Sequence, residues 1–109
     1  MNILIQHGQV VDPASGFSQR ADVAVQKGHV LAIGQIPADF KADQTIDATD
    51  CMVIPGLVDA CARLGEPGHE HEGMLETELA AAVAGGVTSV VCPPDTQPVL
   101  DEPGLVEML

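Results

Sequence analysis

Hydrophobic and polar positions alternate through the first half of the chain in short segments that turn residues separate. This pattern predicts strands at 2–6, 21–25, 29–33, 45–48 and 51–54. Tight hairpin turns are predicted at His7-Gly8 and Lys27-Gly28, and a loop is predicted over 12–16. Short strands at this spacing are typical of a small antiparallel sheet or a β-sandwich.

The pattern changes in the second half, where helical periodicity appears. We predict a strand at 52–59, a loop at 65–73, a helix at 74–83, a strand at 87–92, a loop at 93–98 and a helix beginning at 103. The nearly continuous apolar run at 52–59 indicates a strand buried on both faces. Gly85-Gly86 is expected to end the helix. A strand, a helix and a strand in this order predict a βαβ unit with parallel strands.

The length limits how much of an α/β fold is present. A complete (β/α)8 barrel needs about 250 residues, whereas the sequence has 109. We therefore expect residues 1–54 to supply β strands and residues 55–109 to begin a parallel α/β fold. The incomplete second unit at the end predicts a truncated chain.

Charge and cysteine content narrow the function classes. Four basic residues against sixteen acidic ones give a formal net charge of −12, which argues against nucleic acid and anionic membranes as partners. Neither a signal peptide nor a membrane span is predicted. Cys51, Cys61 and Cys92 do not form a disulfide or zinc-ribbon pattern. We expect buried free thiols in a cytoplasmic protein.

Functional groups of parallel α/β folds gather where strands end, which here means residues 59–68 and 92–95. Beyond the first end, His69-Glu70-His71-Glu72 could bind a metal. The alternative, which we favour, is a solvated loop whose glutamates lie near the positive end of the following helix.

Three charged residues at the strand ends each allow two interpretations. Asp59 and Arg63 could be a catalytic pair, or an ion pair that closes the sheet end, which we favour. Asp95, in Pro93-Pro94-Asp95-Thr96, could act on a substrate or cap the loop backbone, and we favour the cap. The sequence contains no phosphate-binding glycine loop and no serine nucleophile elbow.

An ordered series of motifs supports a family resemblance. The motifs are Ile3-Leu4-Ile5 with Val10-Val11-Asp12-Pro13, Val53-Ile54-Pro55-Gly56-Leu57-Val58-Asp59, Glu66-Pro67-Gly68, Ala84-Gly85-Gly86-Val87-Thr88 and Pro94-Asp95-Thr96-Gln97-Pro98. Together they resemble the amino-terminal part of the dihydroorotase branch of the amidohydrolase superfamily. The resemblance implies a (β/α)8 barrel with a small β-sandwich, of which this chain would be the amino-terminal third.

The same resemblance implies a two-zinc active site, but two of its metal-binding positions and two of its substrate-binding positions carry other residues here. The family begins the site with Asp-x-His-x-His, and this chain keeps Asp59 but has Cys61 and Arg63 at the two histidine positions. The arginine that binds the substrate carboxylate corresponds to Gly65. The asparagine of the Pro-Asn-Thr loop corresponds to Asp95. We therefore expect no catalytic residue and no metal ligand among these positions, with Asp59 as a supporting residue.

The resemblance then implies a non-catalytic dihydroorotase-like subunit, without a cofactor, in pyrimidine biosynthesis. Its expected partners are aspartate transcarbamoylase catalytic chains and further copies of itself. The alternative is an active zinc-dependent amidohydrolase with an altered metal site, in which Cys61 still binds metal. A fragment without function is the third interpretation.

Overall fold

A long strand, β1 (Asn2–Asp12), organises the first half of the chain in the computed structural model, which describes residues 1–109. It pairs antiparallel with β2 (Phe17–Gln26), which pairs antiparallel with β3 (His29–Ile33). The predicted turn at Lys27-Gly28 is confirmed. Both residues have positive φ, 51° and 76°, as a type I′ hairpin requires.

The hairpin predicted at His7-Gly8 is wrong, because β1 continues through these residues. The register with β2 shifts between Ile5 and Gly8, so the extra residues form a bulge instead of a turn. His7 has a φ of 67° there, and its backbone N–H donates to Asp22 Oδ1 at 3.0 Å. This side-chain acceptor replaces the ladder bond that the bulge interrupts.

The small antiparallel sheet, one of the two expectations for this half, is not what forms. Strands β4 (Gln44–Asp47) and β5 (Met52–Val53) both run parallel to β1, which gives a mixed five-stranded sheet. Their alternating pattern matches either direction, and the direction depends on the crossover that precedes β4. The sheet buries four small apolar side chains, those of Val10, Val23, Ala24 and Ala48.

The second half contains the predicted βαβ unit. Strand β6 (Leu57–Asp59) leads through a long loop to helix α1 (Leu75–Ala84), and β7 (Val87–Val90) returns parallel to β6. Helix α2 (Pro103–Glu107) follows. Gly85 and Gly86 end α1 as predicted, since Gly85 is its C-cap and Gly86 has a φ of 90°.

The two halves are separate compact units, Met1–Pro55 and Gly56–Leu109. The single strand predicted at 52–59 is wrong, because Met52–Val53 pairs with β1 and Leu57–Asp59 pairs with β7. Its predicted burial on both faces is not observed either, because the second unit has only two strands and few elements to cover them. Val58 is 67% exposed. Neither helix is both long and apolar enough to cross a membrane.

Candidate functional site

The loops after β6 and β7 begin side by side at one edge of the parallel pair. Val91 donates its N–H to the Asp59 carbonyl at 2.8 Å, and Ala62 donates to the Val91 carbonyl at 2.9 Å. The strand pairing thus continues past both strand ends. Side chains from two distant parts of the sequence are thereby brought together where α/β folds place their chemistry.

An ion pair between Arg63 and Asp95 joins these two loops. Nη2 and Nε of Arg63 both donate to Oδ2 of Asp95, at 2.9 Å and 3.0 Å. The hydrogen bond from Arg63 to Asp95 raises the pKa of Arg63, and the negative charge of Asp95 raises it further. Asp95 accepts these bonds and does not cap its loop, so the predicted cap is wrong.

Asp59 makes a local hydrogen bond and does not pair with Arg63. Its Oδ1 accepts the backbone N–H of Cys61 at 3.0 Å, a turn that an aspartate makes with the residue two positions on. The predicted Asp59–Arg63 ion pair is therefore wrong. The arginine does close the sheet end by an ion pair, but its partner lies 32 residues away in sequence.

All three cysteines are exposed, so the prediction of buried thiols is wrong. The sequence pattern places them on apolar strands, but the strands are shorter than predicted. Cys51 precedes β5, while Cys61 and Cys92 follow the ends of β6 and β7. Cys61 therefore keeps a sulfur that a metal could reach, and thiolate is a good zinc ligand.

Gly65 has no space for a side chain. Its φ is 83°, and a Cβ built on it would collide with the carbonyl oxygen of Gly73. The His69 carbonyl oxygen would lie 3.2 Å from the same Cβ. The arginine that the resemblance places at this position does not fit the present loop. Composition and spacing give no sign of this constraint, because it depends on a contact eight residues away.

The loop between β6 and α1 is tied to the helix by Glu66. Its Oε1 accepts the backbone N–H of Leu75, the first residue of α1, at 2.9 Å. This satisfies one unpaired N–H group and places negative charge at the positive end of the helix. The sequence predicts this role for Glu70 and Glu72 instead. Glu70 accepts the Gly68 N–H at 3.0 Å, which lowers the pKa of its carboxyl group.

The His69–Glu72 segment brings three ligand groups together. One nitrogen from each of His69 and His71 and a carboxylate oxygen of Glu72 all lie within 4.8 Å of one another. His71 Nε2 and Glu72 Oε1 are 3.5 Å apart. The structure therefore brings together the ligand groups that metal binding, the less favoured interpretation of this segment, requires.

A pocket of about 430 Å³ opens between the two strand-end loops and α1. Its lining includes Arg63, Glu66, His69, Glu72, Cys92 and Asp95. The pocket lies where the family's metal and substrate residues would be, but its residues do not fit a zinc pair at the Asp-x-His-x-His positions. Arg63 has no lone pair to offer a metal, and its guanidinium is already bound to Asp95.

Sequence relatives agree with the resemblance that the motifs indicate. No protein-family model matches the chain. A dihydroorotase-like protein of Pseudomonas aeruginosa is 45% identical over 109 residues, which is 100% of this chain and 26% of that protein. A dihydroorotase of Pelobacter propionicus is 43% identical over 105 residues, 96% of this chain and 25% of its own length. This chain therefore spans about a quarter of the curated relatives' length, less than the predicted third.

Solved structures confirm the fold class. The L-hydantoinase (dihydropyrimidinase) of Arthrobacter aurescens superposes with a TM-score of 0.76 at 30% identity, over 89% of this chain and 21% of the hydantoinase. A D-hydantoinase gives a TM-score of 0.70 at 29% identity, over 84% of this chain and 20% of its own. With these structures and the sequence relatives, the chain is identified as a homologue of the amino-terminal part of dihydroorotases and dihydroorotase-like proteins, in the amidohydrolase superfamily.

Proposed function

We propose that the chain is part of a non-catalytic, cytoplasmic dihydroorotase-like subunit of pyrimidine biosynthesis, which supports the assembly of aspartate transcarbamoylase. The partner and the pathway come from the family resemblance. The residues of the chain support the loss of catalysis. The single observation that carries the proposal is the Arg63–Asp95 ion pair.

This ion pair uses two positions that the family gives to different tasks. Arg63 stands at a zinc-binding histidine position, and Asp95 stands at a substrate-binding asparagine position. A guanidinium has five donors and no acceptor, so it cannot replace imidazole as a ligand. Without zinc, no bound water is acidified and no amide carbonyl is polarised. The chemistry of the family's reaction is therefore absent from this part of the site.

Substrate binding would be weakened at the same place. Dihydroorotate carries a carboxylate, which the family's arginine holds by a bidentate pair. Gly65 offers no such group. The Asp95 carboxylate would repel the substrate's carboxylate, except to the extent that the paired Arg63 neutralises the charge of Asp95. We expect dihydroorotate to bind poorly even where a metal is supplied.

Exposed apolar side chains in the second unit show that this unit needs further protein around it. Val58, Val83 and Val91 are 67%, 70% and 56% exposed. A two-stranded sheet with apolar faces needs further protein to cover it. The rest of the barrel would cover part of this surface. The chain keeps the family's framework motifs although its residues at the metal and substrate positions differ. A surface for binding partners can therefore be kept without the catalytic residues.

A reconstitution experiment tests the assembly role. Aspartate transcarbamoylase chains would be purified with and without the full-length subunit, and the mass and transferase activity of each sample compared. We expect the large assembly and full activity only when the subunit is present. Transferase chains that assemble and stay fully active alone would refute the proposal.

The alternative is an active zinc-dependent amidohydrolase with an altered site, which the exposed Cys61 favours. Zinc content and dihydroorotate ring opening, measured on the full-length protein in zinc-supplemented buffer, separate the two functions. We expect neither bound zinc at Cys61 nor turnover. A Cys61→Ser variant is the control, because it removes the remaining soft ligand. Turnover that disappears in this variant would establish the alternative.

A further inference from the structure

We propose that His69, His71 and Glu72 bind one divalent transition-metal ion, at a site distinct from the positions that the resemblance assigns to zinc. Their ligand atoms lie within 4.8 Å of one another. Those other positions, Cys61 and Arg63, contribute nothing to this cluster. The proposal goes beyond the proposed function, because an assembly subunit needs no metal.

Backbone hydrogen bonds fix the turn that carries the three side chains. Glu72 donates its N–H to the His69 carbonyl at 2.8 Å, which closes a turn and places the first and fourth residues near each other. Gly73 donates to the same carbonyl at 3.3 Å, and His69 donates to the Gly65 carbonyl at 2.8 Å. The turn is therefore anchored at both ends, and part of the entropy cost of gathering the ligands is already met.

The separations are close to those of a bound metal. Zinc lies about 2.0–2.2 Å from histidine nitrogen and carboxylate oxygen, so ligand atoms at tetrahedral angles are about 3.4 Å apart. His71 Nε2 and Glu72 Oε1, at 3.5 Å, already meet this spacing. The other separations are at most 4.8 Å, and all three side chains are exposed and so have room to rotate. The rings of His69 and His71 are 6.0 Å apart between centroids and tilted by 46°, so they do not stack face to face.

The donor set selects the class of metal. Two imidazoles and one carboxylate suit zinc, nickel, copper or cobalt, whereas magnesium and calcium prefer oxygen ligands only. Water or a group from a partner would complete the coordination. Glu70 lies between the two histidines in sequence, but its Oε1 accepts the Gly68 N–H at 3.0 Å, which turns it towards the backbone.

Glu70 supplies a matched control for the test. The chain has a formal net charge of −12, so any cation will gather weakly on its surface. Glu70→Gln and Glu72→Gln remove the same charge from the same turn, yet only Glu72 belongs to the proposed ligand set. A difference between these two variants therefore reports coordination and not general attraction.

The experiment is isothermal titration calorimetry, in which zinc chloride is added to the full-length protein in a buffer that does not bind metal and the heat of binding is measured. We expect one saturable site that magnesium does not displace. Replacing an outer partner of a metal ligand commonly costs 10-fold to 100-fold in affinity, so His69→Ala, His71→Ala and Glu72→Gln should each weaken zinc binding by at least ~10-fold. Glu70→Gln should retain the affinity. Unchanged circular dichroism spectra would show that the variants are folded.

Three results would overturn the proposal. The first is the absence of saturable binding in the wild-type protein. The second is an equal loss in Glu70→Gln and Glu72→Gln, which would mean only diffuse attraction to an acidic surface. The third is a site that survives His69→Ala with His71→Ala but disappears in Cys61→Ser. That result would place zinc at the family's position and would count against the proposed function as well.

Discussion

Gly65 provides the most direct test of how the loop after β6 is built. The perturbation is Gly65→Ala, which adds one Cβ at a φ of 83° and directs it at the Gly73 carbonyl oxygen. A left-handed backbone costs a non-glycine residue about 1–2 kcal/mol. Overpacking adds roughly 1–3 kcal/mol. Reduced freedom of the unfolded chain returns about 0.4–1 kcal/mol. We therefore expect a net loss of about 1–5 kcal/mol in the free energy of unfolding.

Gly86→Ala is the matched control for this prediction. Gly86 lies in the same unit with a φ of 90°, but its Cβ would meet only Leu57 Cδ1 at 4.0 Å. The backbone and unfolded-state contributions recur in the control, while the collision does not. Urea unfolding of the full-length protein should show Gly65→Ala to be less stable than Gly86→Ala by about 1–3 kcal/mol. Equal losses would refute the argument that the Gly73 carbonyl blocks this position.

The remaining predictions concern the core, the ion pair and one carboxyl group. Val23→Ala, at a position that is 5% exposed, should lower the free energy of unfolding by about 2–3 kcal/mol in urea denaturation, because it removes two buried carbons and leaves a cavity. Arg63→Glu should lower the melting temperature by setting two carboxylates together, and Arg63→Glu with Asp95→Arg should restore it; equal melting temperatures for the two variants would contradict the pairing. Glu70 should titrate in NMR below its ordinary pKa of 4.5, because the Gly68 N–H stabilises its charged form. Its depressed folded-state pKa means that its contribution to stability is present above that ordinary value and disappears as pH falls through the folded-state pKa. A titration midpoint at or above the ordinary value would contradict this.

Local chemistry is sufficient to predict much of the secondary structure. Helix formers over 74–83 and the two glycines that follow predict α1 within one residue at each end. The predicted turn at Lys27-Gly28 is also correct, because its backbone requirement is met by residues of the turn itself. In both cases the deciding interactions are between residues close in sequence, where propensity rules apply.

Features that depend on distant contacts cannot be read from the sequence. His7-Gly8 has the composition of a turn, but Asp22 on the neighbouring strand stabilises a bulge there. Strand β4 runs parallel to β1, with Ile3 opposite Gln44, and this direction depends on the crossover that precedes β4. An alternating pattern has the same appearance in both directions, so periodicity carries no information about this choice.

In the candidate site too, the sequence predicts the positions of the residues but not their contacts with distant residues. Motif order alone assigns Cys61, Arg63, Gly65 and Asp95 to chemically important positions of the family. It does not predict their contacts, since closeness in sequence favours Asp59 as the partner of Arg63 and the loop backbone as the partner of Asp95. Both of those pairings are wrong, because the strand register brings residues 32 positions apart into contact.

The ion pair also bears on how the proposed loss of catalysis could be reversed. Arg63→His alone would restore an imidazole but would leave the Asp95 carboxylate without its partner. Asp95→Asn alone would leave the Arg63 guanidinium without its partner, at a position where the family has a zinc-binding histidine. Gly65→Arg would in addition collide with the Gly73 carbonyl. Arg63→His and Asp95→Asn therefore each remove a contact of the present loops, and Gly65→Arg adds a collision. The positions are coupled through contacts, so we expect the effects of reversions at Arg63, Asp95 and Gly65 to depend on one another and not to add.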